Sequence, residues 1–247
     1  MQGIQRGLRI LEAVAAHQPV GVGEISRVCE LPKSSVQRVL RALAEAGWIR
    51  AVGEEHTRWT LTSRMLTLAG TACGVRGIRE AALGPMRELG ELTGETVTLQ
   101  VPDGPHRMVL IEQVDCRHPV RTVNKLGATS PITATSTGLA VLALLSDEDV
   151  ERVLAHQVPR LTSNTLTEPH LVRAGVREAR ARGFAVNRGQ NRDGVCAVGA
   201  AVTDPAGAPV GGIGVSLPES RFDVRRVPWW AAQVRSTAAT VSAALAG

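Results

Sequence analysis

A chain of 247 residues, 44% of them hydrophobic and 21% charged, is long enough for one small and one medium domain and has a folded protein's composition. No apolar run approaches the roughly 18 residues of a bilayer-spanning helix, and the N-terminus shows no signal-peptide pattern, so we expect a cytoplasmic protein without a membrane partner. The net charge of +5 permits nucleic-acid binding but does not establish it, because the first 70 residues carry only nine basic against six acidic side chains.

Neither the cysteines nor the histidines have the spacing of a metal site. Cys29, Cys73, Cys116 and Cys196 are isolated in apolar surroundings, which favours buried thiols over disulfides. The six histidines show no His-x-x-x-His or His/Cys ligand spacing. We therefore expect no cofactor and no structural zinc, with a metal site assembled from distant residues as the alternative.

The first 62 residues have the order of parts of a winged helix-turn-helix. The predicted elements are helices over residues 4–17, 23–29 and 33–46, then wing strands over residues 48–50 and 58–61. Pro19 follows the first helix, Ile25 and Val28 give the second an inner face, and Gly47 ends the third. A three-residue turn joins the second helix to the third.

The third helix is the predicted reader of DNA. Its apolar stripe faces the core and leaves a polar face at its first turns, where short or planar side chains reach bases and phosphates in the major groove. The residues predicted to contact DNA are Lys33, Ser34, Ser35, Gln37, Arg38 and Arg41 on the helix and His56 and Arg58 on the wing. The alternative is an ordinary solvated helix face. The order of the helices, turn and wing strands favours DNA binding.

The residue pattern of the remaining chain predicts a linker helix over residues 63–78 and an α+β domain over residues 79–247. From Gly94 the apolar residues alternate with polar ones, which is typical of strands. The predicted strands cover residues 96–101, 108–114, 120–123, 184–187, 195–203 and 210–217. The predicted helices cover residues 135–145, 147–155, 168–182 and 224–245, the second of them capped by Asp147. This order indicates one antiparallel sheet flanked by helices.

Four hydroxyl side chains between Pro131 and Gly138 precede and open an apolar helix. A helix start presents unpaired N–H groups and the positive end of the helix dipole, which together bind carboxylates. The segment therefore suggests a cradle for a small organic acid. Ordinary helix capping by Thr135 or Ser136 is the alternative.

The sequence resembles the IclR family of bacterial transcriptional regulators along essentially its whole length. The motifs that carry the resemblance are Arg6-Gly7-Leu8-Arg9-Ile10-Leu11, Leu31-Pro32-Lys33-Ser34-Ser35-Val36-Gln37-Arg38-Val39-Leu40, Gly94-Glu95-Thr96-Val97, Gly127-Ala128-Thr129-Ser130-Pro131, Leu161-Thr162-Ser163-Asn164-Thr165 and Gly183-Phe184-Ala185. Two positions depart from the family pattern. Trp59 stands at the usual wing aromatic, and Leu139 replaces a frequent lysine, which removes a charge beside the expected pocket.

The resemblance implies a GAF-like effector domain that binds a small molecule. Its pocket residues would be Ser130, Ser136, Thr137, Asn187, Val195, Ala197, Gly214 and Ser216, of which Ser130 is a weaker candidate, as is Thr122 in addition to them. Such a mixture of neutral polar and apolar groups suits an aliphatic or aromatic carboxylic acid. Arg121, Arg188 and Arg192 could supply a counter-charge, although surface exposure is the commoner role of arginine.

The resemblance also implies a homodimer or homotetramer on a palindromic operator in double-stranded DNA, with the helices of residues 66–92 as the candidate interface. Two other functions compete with a ligand-responsive regulator. A small-molecule hydrolase could be assembled from Ser136, His170 and Asp193, but no Gly-x-Ser-x-Gly elbow accompanies them. A constitutive DNA binder without ligand has no evident need for the long second domain.

Overall fold

The computed structural model describes residues 2–53, 56–70 and 75–246. The chain divides into two compact units, Met1–Ala72 and Cys73–Gly247. No helix in the described ranges is long and apolar enough to cross a membrane. Cys73 and the rest of residues 71–74, which belong to the predicted linker helix, lie outside the described residues, as do residues 54 and 55 between the wing strands.

The first unit is a winged helix-turn-helix. Its elements are α1 (Gln2–His17), α2 (Val22–Cys29), α3 (Lys33–Glu45), β1 (Ile49–Val52), β2 (Arg58–Leu61) and α4 (Arg64–Gly70). The predicted helices and wing strands are confirmed, with ends shifted by no more than two residues. Strands β1 and β2 pair antiparallel, and Val20 adds a single bridge to Trp59. Trp59 packs in the core, as expected for the wing aromatic.

The core of this unit explains one error in the predicted helix faces. Ile10, Ile25 and Leu40 are fully buried where the three helices meet. Val28, predicted to lie on the inner face of α2, is 53% exposed, and Cys29 takes the inner position instead. Ile25 and Cys29 are one helical turn apart and share the buried face of α2, which Val28 does not. The helix ends immediately afterwards, at the left-handed residue Glu30.

The second unit is an α+β domain. Its elements are α5 (Val75–Thr93), β3 (Thr96–Asp103), β4 (Arg107–Val114), β5 (Thr129–Pro131), α6 (Ser136–Leu142), α7 (Asp147–Leu154), α8 (Pro169–Arg182), β6 (Ala185–Arg188), β7 (Val195–Thr203), β8 (Pro209–Pro218) and α9 (Val227–Ala244). The six strands form one antiparallel sheet in the order β5-β4-β3-β8-β7-β6. The predicted α+β class with a flanked antiparallel sheet is therefore confirmed.

Helices cover both faces of this sheet. Apolar side chains from alternate positions of β3, β7 and β8 pack against α5 and α9, with Trp230 of α9 completely buried among them. The opposite face packs against α6 and α8, where Leu139, Val172 and Val176 form a second core with α7. Because both faces are covered, the polar positions of β3 are buried as well, and Thr96 is fully inaccessible.

Three predicted details of the second unit are wrong. Residues 120–123 form no strand. Side chains hold this segment instead: Arg221 and Arg192 donate to the carbonyl oxygens at its two ends, at 2.8 and 3.1 Å. Ser146 rather than Asp147 caps α7, accepting from the Asp149 amide at 3.1 Å. The helix predicted over residues 135–145 is shorter, since it begins at Ser136 after the N-cap Thr135 and ends at Leu142.

Helix α6 lies directly on the sheet because the strand residues beneath it are glycines. A Cβ atom at Gly199 would lie 2.8 Å from the Ser136 hydroxyl oxygen, and one at Gly212 would lie 2.9 Å from the Thr137 Cβ. Both separations are well inside the distance at which carbon atoms pack. Any larger residue at these two positions would therefore push α6 away from the sheet.

We expect Gly199→Ala to destabilise the second unit by about 1–3 kcal/mol, the usual cost of overpacking a close contact. Gly175→Ala is the matched control, since a Cβ there meets the Leu139 methyls at an ordinary 4.0 Å and alanine favours the α8 helix. Urea unfolding followed by circular dichroism measures both free energies. An unfolding free energy of Gly199→Ala equal to that of the wild type would contradict the proposed close seating of α6.

Candidate functional site

The polar face of α3 is free to meet a partner. Lys33, Ser34, Gln37, Arg38 and Arg41 are exposed and Ser35 is half-buried. Their side chains have no hydrogen-bond or ion-pair partner within the described residues. The opposite face is fixed, because Val36 and Leu40 are completely buried. All six helix residues predicted to contact DNA thus lie along one side of α3 or at its start.

A Schellman turn sets the direction of the chain from α3 into the wing. Gly47 adopts a left-handed φ of 77°, and the amides of Gly47 and Trp48 donate to the carbonyls of Ala44 and Leu43, both at 2.9 Å. Arg64 stacks on the Trp48 ring at 4.8 Å from its centroid. These contacts hold the hairpin against the end of the helix.

The two predicted wing contacts differ in their surroundings. His56 is exposed beside the tip of the hairpin. Arg58 is engaged within the protein, because its guanidinium pairs with Glu24 at 3.0 Å and donates to the Pro19 carbonyl at 2.9 Å. Arg58 therefore ties the wing to the start of α2, a structural role that the sequence pattern did not indicate.

In the second unit, a single register row brings distant residues together. Asn187 of β6 pairs opposite Ala197 of β7, Ala197 opposite Ser216 of β8, and Ser216 opposite Thr96 of β3. Side chains at paired positions project from the same face of a sheet. The row therefore crosses four strands on the face that carries α6.

A cavity of about 290 Å³ opens beside this row. Eleven lining residues offer neutral polar groups, six offer apolar surface, and one is charged. They are Thr98, Gln100, Asn124, Thr129, Ser130, Thr135, Ser136, Thr137, Asn187, Asn191, Ser216, Leu110, Ala128, Pro131, Leu161, Val195, Ala197 and Arg192. Seven of the eight predicted effector residues are in this set.

The start of α6 forms one wall of this cavity, and the predicted alternative of ordinary capping is present there. The Thr135 hydroxyl accepts from the Gly138 amide at 2.9 Å, so Thr135 is the N-cap. Thr137 donates to the Gln100 side-chain oxygen, and the Asn187 amide donates to a backbone carbonyl just before α6. Capping occupies one amide of the first turn. The amides of Ser136 and Thr137 have no acceptor within the helix.

The predicted effector residue that does not line the cavity is Gly214. A Cβ atom at this position would lie 3.2 Å from the Thr137 Cγ2. Gly214 therefore allows α6 to pack closely on the sheet. The weaker candidate Thr122 is buried, and its hydroxyl donates to the Ser216 carbonyl at 3.3 Å. Both residues adjoin cavity-lining residues without lining the cavity themselves.

Several lining residues were missed by the sequence prediction. Thr98 and Gln100 lie on the polar side of β3, which the period-two pattern identified without showing that this side is buried. Asn124 and Asn191 lie in segments without regular structure, for which periodicity gives no orientation. Their only signal in the sequence is proximity to the motif residues on either side.

The lining of the cavity carries a single positive charge. Arg192 is the charged residue among its lining residues, and none of them is acidic. Of the other two arginines considered as counter-charges, Arg188 stacks over the Phe222 ring at 5.6 Å and Arg121 is exposed. The structure therefore places one cation beside many neutral hydrogen-bonding groups, an arrangement that suits an anion.

Two buried threonines hold the loops at the edge of this cavity. The Thr162 hydroxyl donates to the Gly189 carbonyl, and the Thr165 hydroxyl donates to the Gln190 carbonyl, both at 2.7 Å. The same Thr165 hydroxyl accepts from the amide of Leu161, which lines the cavity. This motif thus fixes Leu161 and the loop bearing Arg192 relative to each other.

The residues considered for catalysis are not assembled. Ser136 is buried at the start of α6, whereas His170 and Asp193 are exposed, and no hydrogen bond joins any two of these three described residues. Burial raises the pKa of the Cys29 and Cys196 thiols, which makes poor nucleophiles of both. Cys116 is also buried and unpaired. Among the described residues, no group of three His, Cys, Asp or Glu side chains could hold a metal ion.

Comparison with known proteins gives matches along the whole chain. The model of the IclR helix-turn-helix domain matches residues 3–53. The transcriptional repressor IclR of Escherichia coli K12 is 29% identical over 250 residues, covering 100% of this chain and 91% of the relative. The regulator KdgR of the same organism is 27% identical over 236 residues, covering 95% and 89%.

A solved structure shares the fold. An IclR homolog from Microbacterium hydrocarbonoxydans, crystallised in complex with 4-hydroxybenzoate, superimposes with a TM-score of 0.83 at 21% identity and covers 98% of each chain. The model described as the C-terminal part of the bacterial transcriptional regulator IclR matches residues 70–243, well over half of the sequence. This protein therefore belongs to the IclR family of bacterial transcriptional regulators.

Proposed function

We propose that this regulator binds a palindromic operator in double-stranded DNA through α3 and the wing, and that a small carboxylic acid in the 290 Å³ cavity changes its affinity for that operator. The observation that carries the effector proposal is the composition of the cavity: one arginine, many hydroxyl and amide groups, and no acidic residue. A carboxylate would pair with Arg192 and accept from the neutral donors around it.

The size of the cavity limits the effector to a small molecule. An engineered protein cavity of about 150 Å³ holds benzene, so 290 Å³ accommodates a single substituted ring or a short aliphatic acid. Leu110, Pro131, Leu161 and Val195 supply an apolar wall for the body of such a ligand. The 4-hydroxybenzoate complex of the Microbacterium homolog supports an aromatic acid as the first probe.

The DNA-binding proposal depends on the unpartnered polar face of α3. Gln37, Arg38 and Arg41 point away from the core on successive turns and carry the groups that pair with base edges. One short recognition helix contacts few base pairs, so a homodimer or homotetramer on repeated half-sites would provide the necessary discrimination. We assign DNA binding to residues 1–62, the linker to residues 63–78, and effector binding and assembly to residues 79–247.

Regulation requires that the effector bind two states of the protein with different affinity. The loop between β6 and β7, which carries Asn191 and Arg192, is the element through which we propose that this difference arises. Arg192 donates to the Val123 carbonyl at 3.1 Å, so a bound carboxylate would compete for, or share, the guanidinium that holds this segment. A hydrolase is disfavoured because the curated relatives are named as regulators and, among the described residues, neither His170 nor Asp193 forms a hydrogen bond with Ser136.

We expect Arg38→Ala to weaken operator binding by roughly 5- to 150-fold, because an arginine paired with a base contributes about 1–3 kcal/mol. The operator can be selected from random DNA with the wild-type protein, and affinity measured by fluorescence anisotropy at fixed salt concentration. Arg177→Ala is the matched control: Arg177 is an exposed residue of α8, and its removal changes the net charge equally. Equal affinities for Arg38→Ala and Arg177→Ala would contradict the assignment of α3.

For the effector, we expect the wild-type protein to bind 4-hydroxybenzoate at least tenfold more tightly than the neutral 4-hydroxybenzamide, because only the carboxylate forms an ion pair with Arg192. Arg192→Gln should remove most of this preference. The measurement is isothermal titration calorimetry at constant pH. Arg121→Gln, at an exposed position outside the cavity, serves as the control and should bind like the wild type. Equal binding of the two ligands by the wild type would contradict an anionic effector.

A further inference from the structure

A second cavity, of about 220 Å³, lies between helix α8 and the edge strand β6. It shares no lining residue with the effector cavity. Its lining is mostly apolar and includes Leu139, where the family often has a lysine. The other lining residues used below are Leu166, Leu171, Gly175, Glu178, Arg182 and Gln190.

Gln190 supplies an unsatisfied polar group among these lining residues. Its side-chain oxygen Oε1 is buried and has no hydrogen-bond partner. Nearly all buried acceptors in folded proteins have a partner, either in the protein or in ordered water. The Gln190 Oε1 is therefore an acceptor available to a donor that enters this cavity.

The helix side of the cavity is kept open by a small residue. Gly175 lies within α8, and a Cβ atom at this position would meet only the two Leu139 methyl groups, both at 4.0 Å. Glycine is less favourable than alanine in a helix interior. Neither the helical backbone nor a close contact therefore explains why position 175 is a glycine. A single added methyl group therefore fits beside Gly175 without movement of the helix.

The charges among the lining residues cancel. Glu178 and Arg182 form an ion pair at 2.5 Å on successive turns of α8. Because these two side chains neutralise each other, the cavity offers no net charge to attract an ion. Its chemistry is therefore an apolar space with one buried acceptor, which suits a neutral molecule with a single O–H or N–H group.

We propose that this cavity is a second ligand site, which binds a small neutral alcohol or phenol whose hydroxyl donates to the Gln190 Oε1. A volume of about 220 Å³ holds one substituted ring. The site adjoins the effector cavity through the backbone of Gln190, whose amide donates to the Asn187 side chain at 3.2 Å. The proposal does not depend on the identity of the effector or on DNA binding.

The test uses benzyl alcohol as the probe and toluene as its counterpart without a donor. Titration into full-length protein with ¹³C-labelled leucine methyls should shift the Leu166 and Leu171 resonances saturably. Benzyl alcohol should bind about tenfold more tightly than toluene, because only the alcohol satisfies the buried acceptor. Gln190→Met, which lacks that acceptor, should bind both probes with similar affinity.

Gly175→Leu fills the cavity and should abolish the Leu166 and Leu171 shifts, whereas Gly175→Ala adds a single methyl and should retain them. Both substitutions favour the helix, so both proteins are expected to fold. The proposal is overturned if benzyl alcohol shifts only methyls of the effector cavity, such as those of Leu110 and Leu161, or if Gly175→Leu binds like the wild type. Methyl shifts on dilution of the protein alone would show that a second copy fills the cavity, which also overturns it.

Discussion

The effector domain depends on one close contact, the seating of α6 on the backbone of β7 and β8. Glycine at positions 199, 212 and 214 removes the side chains that would otherwise separate helix and sheet. With α6 at this distance, the hydroxyl-bearing start of the helix reaches the register row that ends at Asn187. A cavity lined by polar groups from seven separate segments exists only because this contact fixes their spacing. The hydrophobic cores on either face stabilise the domain, but they do not by themselves place these groups.

The sequence predicts strands and helices well where one periodicity runs through a whole element, as in α3, β7 and α9. It fails where side chains replace backbone pairing. Residues 120–123 alternate like a strand, yet Arg221 and Arg192 take the carbonyl hydrogen bonds that a neighbouring strand would have taken. The burial of both sheet faces could not be predicted either, because the polar side of β3 has the same residue types as a strand side that faces solvent. For that reason Thr98 was missed, whereas seven of the eight residues named from the family resemblance line the cavity.

The first unit shows a related limit on what residue types reveal. Arg38 and Arg58 are both arginines on a predicted DNA-facing surface, and no local pattern separates them. In the structure, Arg38 has no partner among the described residues, whereas Arg58 pairs with Glu24, 34 positions away in sequence. Long-range ion pairs of this kind depend on how the wing folds back on α2. An arginine with a partner inside the protein must exchange that partner to bind a phosphate, which reduces the net gain from a DNA contact.

The loop between β6 and β7 carries residues of two cavities, and this arrangement constrains how ligands could act. Asn191 and Arg192 line the first cavity, whereas Gln190 lines the second one. Thr162 and Thr165 hold the start of the loop by hydrogen bonds to the carbonyls of Gly189 and Gln190. If the two proposed ligands bind, each would therefore contact the same short, restrained loop. Any coupling between them is reciprocal, because each ligand changes the affinity of the other by the same factor.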